Sequence, residues 1–409
     1  MAFTLEDSVR CRRDFPALNR VRDDGLKLSY LDGPGGSQVP QAVIDAIADV
    51  YGSCNVNTHG NFPPSIEVDR RMQHAREVMA AFLGAESGSC ISFGQNMTTL
   101  NYALSAAIGH TLSRGDQVLV TQLDHEANRG PWTRLQEQGV VVEEVRLLPT
   151  GRLDLADMQA KVNARTKLFA IGASSNALGT VNDIKLARRL TAAVGALLIV
   201  DAVHYAPHFP LDVQDLGLDF LLCSAYKFYG PHVGVLYSRP RALDALPTNR
   251  LAVQDPNAPY RIETGTLNHA AIDAARAAVE YLAGWGSGAT LRERIVDAMN
   301  GISAYEHQLA RYYYEAVGRI PGVKVWGPDF TDRARAPTVS ITLPSVTADQ
   351  AARALGREGI CVWDGHFYAA RALEILGLTE RGGLLRAGVS MYSTPEDLER
   401  LLAGIRRLA

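Results

Sequence analysis

Cysteine is sparse in this chain: among 409 residues there are five, Cys11, Cys54, Cys90, Cys223 and Cys361, an odd and scattered set with no CxxC pair. That pattern argues against a disulfide framework or a zinc cluster and for a reducing compartment. No apolar run reaches membrane-spanning length, and the opening residues, MAFTLEDSVRCRRDFPAL, hold no apolar signal core, so a soluble cytoplasmic protein is expected. Charge of one sign is not in excess. A formal net charge of -3 gives no reason to expect nucleic acid or a membrane as partner. The glycine fingerprint of a dinucleotide fold is missing too. Gly33-Pro34-Gly35-Gly36 has the wrong spacing and follows no long strand, which weighs against a nicotinamide enzyme. Internal repeats and low-complexity tracts are absent.

What is present is an ordinary globular composition, 47% hydrophobic and 21% charged, on a chain long enough for two domains. Residues 1–29 are polar and read as an N-terminal arm. From about residue 30 to 240, helical and strand patterns alternate. Helices are expected near 39–50, 66–83 (stopped by Gly84), 97–110 and 183–194. Strands are expected at Cys90–Phe93, Gln117–Gln122, Lys167–Ala173, Ala196–Asp201, Phe220–Ala225 and Val233–Ser238. Such alternation predicts an α/β fold, a mostly parallel sheet covered by helices on both faces. After Pro256 the pattern changes. A long helical region over 268–319, broken near Gly284–Gly288, is followed by strands at Val323–Trp326, Thr338–Leu343, Ile360–Trp363 and Leu384–Val389. Thr347 with Gln350, and Thr394 with Pro395, mark helix starts. The expected division is an arm (1–29), a large domain (30–267) and a smaller C-terminal α+β domain (268–409).

Two charges stand where apolar strands leave the core. Asp201 closes Ala196-Leu197-Leu198-Ile199-Val200, and Lys227 follows Phe220-Leu221-Leu222-Cys223-Ser224-Ala225-Tyr226. The carboxyl edge of an open α/β sheet is where ligands bind. An acid and a lysine at that edge suit pyridoxal 5'-phosphate (PLP), which needs a lysine for its Schiff base and an acid for its pyridinium nitrogen. Three further segments end at the same edge. Gly94-Gln95-Asn96-Met97-Thr98-Thr99 joins a strand to a helix N-terminus, a place for a phosphate, although it lacks the P-loop lysine. His125 offers an imidazole that can stack on a pyridine ring. Asn176 offers an amide that can donate to a phenolate oxygen.

Together these segments resemble the class V aminotransferase family, in particular its cysteine-desulfurase-like branch, from Leu31-Asp32 to Arg386. The strongest matches are Val200-Asp201-Ala202-Val203-His204-Tyr205-Ala206-Pro207-His208 and Ser224-Ala225-Tyr226-Lys227-Phe228-Tyr229-Gly230-Pro231. The resemblance implies fold type I, with Lys227 carrying the cofactor, Asp201 on the pyridinium nitrogen and His125 over the ring. Asn176 and His204 are implied beside the phenolate oxygen, and Asn96, Met97 and Ser224 at the phosphate; Tyr226 stands where a His is common before the lysine, and its hydroxyl can still contact the phosphate. It implies that Thr266, in Glu263-Thr264-Gly265-Thr266, reaches the cofactor phosphate of a neighbouring subunit, hence a homodimer. Arg386 matches the arginine that grips the carboxylate of a small amino-acid substrate. Trp363, Tyr368 and His59 are grouped with it on the substrate side.

The departures bear on the chemistry. Tyr368 falls where many relatives carry a mobile cysteine that accepts sulfur as a persulfide, and a phenol cannot replace a thiolate there. Trp363 falls where a second arginine is common. The expected reaction is Cα deprotonation of a small α-amino acid followed by β-elimination of the C–S lyase type, without a protein persulfide. Epimerase or racemase and aminotransferase chemistry remain open alternatives. A metal site on His204 and His208 is a weaker rival, because Pro207 and Pro210 break the helix it would need.

Overall fold

Residues 2–21, 25, 27–331 and 334–409 are described by the computed structural model. In chain order its strands begin with the short β1 (Ser29–Tyr30). A central group follows: β2 (Ile91–Gly94), β3 (Gln117–Thr121), β4 (Val141–Val145), β5 (Thr166–Gly172), β6 (Leu197–Asp201), β7 (Phe220–Ser224) and β8 (Gly234–Ser238). These seven form one sheet in the order β2-β8-β7-β6-β5-β3-β4. The pairs β3–β4, β3–β5, β5–β6 and β6–β7 are parallel, and β8 alone runs against its neighbours β2 and β7. The short connection from β7 to β8, which carries Lys227, leaves no room for the crossover helix that a parallel return requires. Strands β3, β7 and β8 are buried at every position, because helices cover both faces of the sheet.

The helices follow their end signals. Pro63–Leu83 stops at Gly84, whose φ of 69° is a left-handed cap. Ile184–Val194 starts on the Asp183 side chain, and Met97–Gly109 starts on Asn96, which caps the Thr99 amide. The elements outside the expected set include the helices Leu5–Arg12, Glu126–Thr133, Leu155–Lys161 and Ala370–Ile375, strand β1 and edge strand β4.

The C-terminal sheet has the order β12-β13-β10-β9, with β9 (Lys324–Trp326), β10 (Thr338–Thr342), β12 (Trp363–Gly365) and β13 (Leu384–Gly388), all antiparallel. The single strand expected at Ile360–Trp363 is two: β11 (Ile360–Cys361) pairs with β1, while β12 joins the sheet. Helix His269–Ala283 packs into the core of the large sheet. The helix Leu291–Gly318 spans both cores, giving Ile295, Met299 and Ile302 to one and Leu309, Tyr313 and Val317 to the other. The polar N-terminal residues are docked along this junction. Thr4 and Asp7 form a capping box for helix Leu5–Arg12, Cys11 and Phe15 are fully buried, and Ser8 Oγ donates to the Ser393 carbonyl at 2.9 Å. Among the described residues no helix is long and apolar enough to cross a membrane.

Candidate active site

Strands β3, β5, β6 and β7 end side by side, and a cavity of about 520 Å³ opens at their carboxyl ends. Asp124 and His125 follow β3, Ser174 and Asn176 follow β5, Asp201 ends β6, and Ser224, Tyr226 and Lys227 follow on from β7; all line the cavity. The helix starting at Met97 directs its N-terminus into it, with Asn96, Met97, Thr98 and Thr99 on the wall. His204 completes the lining on the side of the smaller sheet. Nine of the sequence-predicted residues are thereby brought together from segments up to 131 residues apart (227 − 96).

The Asp201 carboxylate is buried, and one oxygen accepts from the Val203 amide at 2.8 Å. Burial raises its pKa to about 7, and the nearby Asp124 adds to the rise. A buried carboxylate of this kind is stabilised by a cation placed against it. Lys227 shows the mirror effect. Burial, then the charge of Arg386, brings its amine down to about 7, with Asp32 and Asp201 opposing. Its Nζ donates to the Gly35 carbonyl at 2.9 Å and to the Pro34 carbonyl. An amine with that pKa can both take up and return a proton near neutrality.

His125 Nδ1 accepts from the Ala127 amide at 3.0 Å, which puts the proton on Nε2. Burial, reinforced by Lys227, Arg386 and His366, lowers its pKa to about 4, so the ring is neutral. Ser224 Oγ accepts from the Met97 amide at 2.9 Å, tying the end of β7 to the helix start. Tyr226 stacks flat on His232, 4.8 Å between centroids and 9° between planes.

Arg386 lies behind this wall rather than on it. Only 3% exposed, it gives Nη2 to Asp32 Oδ1 at 2.8 Å and Nη1 to the Asn176 carbonyl at 3.3 Å, while Nε has no partner. Its guanidinium sits 4.3 Å from the Phe367 ring centroid. Tyr368 stands at the mouth, 67% exposed and stacked on His125 at 5.4 Å. Three expected residues are elsewhere. Trp363 pairs with Arg386 across β12 and β13 but is 55% exposed. His59 and Thr266 line a separate concavity of about 1240 Å³. That concavity is bordered by a buried fork, Arg76 Nη1 and Nη2 on the two Glu263 oxygens at 2.7 Å each. The His204–His208 pair is turned to other partners. His204 Nε2 meets Thr338 Oγ1 at 3.0 Å, and His208 Nδ1 meets Glu306 at 2.8 Å.

Two residues of the site escaped the sequence reading. Asp124, like Asp201, is an acid at a strand end, and its place in the site shows once β3 and β6 are set in one sheet. His232 carried no signal, because its stacking on Tyr226 depends on the turn between β7 and β8.

The residues fit PLP: a lysine amine of lowered pKa, a buried acid poised for a cation, a flat neutral imidazole and a helix N-terminus share one cavity. Fold and cavity are those of a PLP-dependent enzyme of fold type I. The comparisons agree. The model of the family described as "Aminotransferase class-V" matches residues 29–401. The cysteine desulfurase of Pectobacterium atrosepticum is 32% identical over 424 residues, covering 100% of this chain and 98% of that protein. The apo cysteine desulfurase of Thermococcus onnurineus superposes with a TM-score of 0.87 at 27% identity, covering 98% and 97% of the two chains. A cysteine desulfurase of Escherichia coli superposes with a TM-score of 0.85 at 26% identity, covering 98% of each. This chain belongs to the class V aminotransferase family, in its cysteine-desulfurase-like branch, and its cofactor is PLP.

Proposed function

We propose that this enzyme deprotonates the Cα of a small α-amino acid and, where Cβ carries sulfur as leaving group, eliminates it without a protein persulfide. Bound PLP supplies the electron sink for charge developing at Cα. Asp201 would hold the charge of the pyridinium nitrogen. His125 would cover the ring, with His204 and Asn176 on the side of its phenolate oxygen. The helix start at Asn96 and Met97, with Ser224 and Tyr226, would hold the phosphate. The Cα proton passes to the Lys227 amine, and the Cβ sulfur leaves with its bonding pair and takes up a proton. Arg386 receives the substrate carboxylate.

The observation that carries the absence of a persulfide is the segment after β12. None of the five cysteines lies between Asp364 and Ala370, and Cys11, Cys54, Cys90 and Cys223 are buried. The segment is also pinned: Asn176 Nδ2 donates to the Phe367 carbonyl at 2.9 Å, and the Glu126 amide to the Tyr368 carbonyl at 2.7 Å. One observation favours a second reading. Tyr368 stacked on His125 sets a phenol at the mouth as a second acid, which suits an epimerase.

Incubation with cysteine-like amino acids in deuterium oxide tests both readings. Cα deuterium exchange with release of sulfide and an α-keto acid supports elimination, and exchange with inversion alone supports epimerisation. Cys361→Ala should leave the exchange intact. A persulfide on Cys361, lost together with activity in Cys361→Ala, overturns the proposal.

A further inference from the structure

The glycine-rich segment that fails as a dinucleotide fingerprint has another place in the fold. Asp32-Gly33-Pro34-Gly35-Gly36 crosses from β1 to the back of the cavity and touches both ends of the reacting site. Its carbonyls at Pro34 and Gly35 hold the Lys227 amine. Its single acid, Asp32, is 7% exposed and accepts from Arg386 Nη2 at 2.8 Å. The segment is itself fixed at its far end, where Tyr30 Oη donates to the Gly36 carbonyl at 2.6 Å and the Ser37 amide to the Tyr226 carbonyl at 3.0 Å. Small residues are required for this fit. A Cβ on Gly35 would come within 2.2 Å of an Asp32 carboxylate oxygen, and one on Gly388 within 2.3 Å of Pro34.

The geometry points to Asp32 as a positioning residue: it holds Nη2 of the Arg386 guanidinium so that the remaining donors are aimed at the carboxylate of an α-amino acid. This deepens the proposed function and rests on it. A guanidinium donates in one plane along two edges, Nε with Nη2 and Nη1 with Nη2, so a single acid oxygen on Nη2 orients the group while Nε and Nη1 keep hydrogens to give. Here those donors are poorly met: Nη1 has a long 3.3 Å contact to the Asn176 carbonyl, and Nε is buried without a partner. A buried cation with an empty donor is costly unless an anion completes it. One face of the guanidinium is covered by the Phe367 ring, which leaves the in-plane donors for an anion.

The test uses PLP-loaded protein and the spectral change of the bound cofactor, with L-alanine and its carboxylate-free counterpart ethylamine as probes. Asp32→Ala should load PLP, bind L-alanine about tenfold more weakly and bind ethylamine as the wild type does, as expected for a lost charge-assisted contact. Asp32→Asn, which keeps an acceptor on the same atom, should recover most of that affinity. Gly35→Ala displaces the Asp32 carboxylate without removing its charge, and should reproduce the loss even if Asp32→Ala does not fold. Unchanged or tighter L-alanine binding in a loaded Asp32→Ala protein overturns the inference. So does an equal loss for ethylamine, or an Asp32→Asn protein no better than Asp32→Ala. A wild-type protein that takes up no PLP fails the underlying reading instead, a result visible before any probe is added.

Discussion

At the scale of single residues, burial decides the character of the site. Asp201 and Lys227 are pushed toward each other from opposite ends of the scale, the acid up to about 7 and the amine down to about 7. For the cofactor-free protein this has a definite sign. Between its ordinary 3.8 and about 7, folded Asp201 binds a proton that the unfolded chain has released, so its contribution to stability falls as pH rises through that window. Cofactor-free Asp201→Asn, which carries no charge, should therefore exceed the wild type by about 1–3 kcal/mol in urea unfolding at pH 8 and lose that advantage near pH 4. The loaded variant should show the reverse cost, a turnover loss on the order of 3 kcal/mol, because an amide cannot hold the pyridinium charge. Near-normal turnover by a folded, loaded Asp201→Asn protein would remove Asp201 from its role. His125 should give no ring titration between pH 5 and 8 by NMR, since its folded pKa is about 4. Asp201 and Lys227 were legible in the sequence because each ends an apolar run and only a strand edge explains a charge there. Asp32 was not, because its partner Arg386 is 354 residues away and no local pattern encodes that contact.

Among the elements, the apolar strands of the central sheet and the longer helices are legible from local pattern, whereas short helices and edge strand β4 are not. Pro63–Leu83 and its Gly84 cap, the capping box at Thr347, and the start at Thr394-Pro395 all follow from local chemistry. The N-terminal helix had the same kind of signal, Thr4 and Asp7, yet its polar composition hid that Cys11 and Phe15 are core residues. The segment after β12 reads as a loop over Asp364–Ala370, but its conformation is imposed from outside. Phe367 and Tyr368 have φ values of 53° and 58°, a left-handed pair that non-glycine residues adopt only when held. One hold is electrostatic. Arg371 donates through Nε and Nη2 to Glu144 Oε2 at 2.9 and 2.8 Å, and Arg129 binds the other Glu144 oxygen. Both Arg371 and Glu144 are part-exposed, so Arg371→Ala should cost about 1 kcal/mol or less in global stability. It should nevertheless raise amide hydrogen exchange across 365–376 selectively. Unchanged exchange in that stretch would show that the carbonyl contacts alone hold the segment.

For the molecule as a whole, the two sheets are joined by one long helix and by docked N-terminal residues rather than by a flexible linker. Leu291–Gly318 supplies both cores, Phe15 packs edge-on against Tyr229, Tyr281 and Tyr392 at the larger core, and Phe3 packs against both cores. The composition change after Pro256 signalled a second unit, but packing places His269–Ala283 with the large sheet, because an amphipathic helix pattern does not state which core it faces. The homodimer that the family resemblance implies gives a test at this scale. Thr266 is exposed and far enough from the cavity to line a different concavity, with Leu251 and Val253 exposed at 60% and 93% on its rim. Apolar side chains displayed beside a rigid, Arg76-anchored segment fit burial against a second copy. In a symmetric dimer, each Thr266 would serve the partner's phosphate, so the two mutations Lys227→Ala and Thr266→Ala would damage a site from different subunits. Separately prepared, both proteins should be impaired, Lys227→Ala completely. Unfolded together and refolded, half of the molecules should be mixed dimers, each holding one site with neither substitution. Activity should then return to about a quarter of the wild-type value per chain. No gain on mixing, or an active monomer by sedimentation, would place Thr266 outside the site and leave each chain's cavity complete by itself.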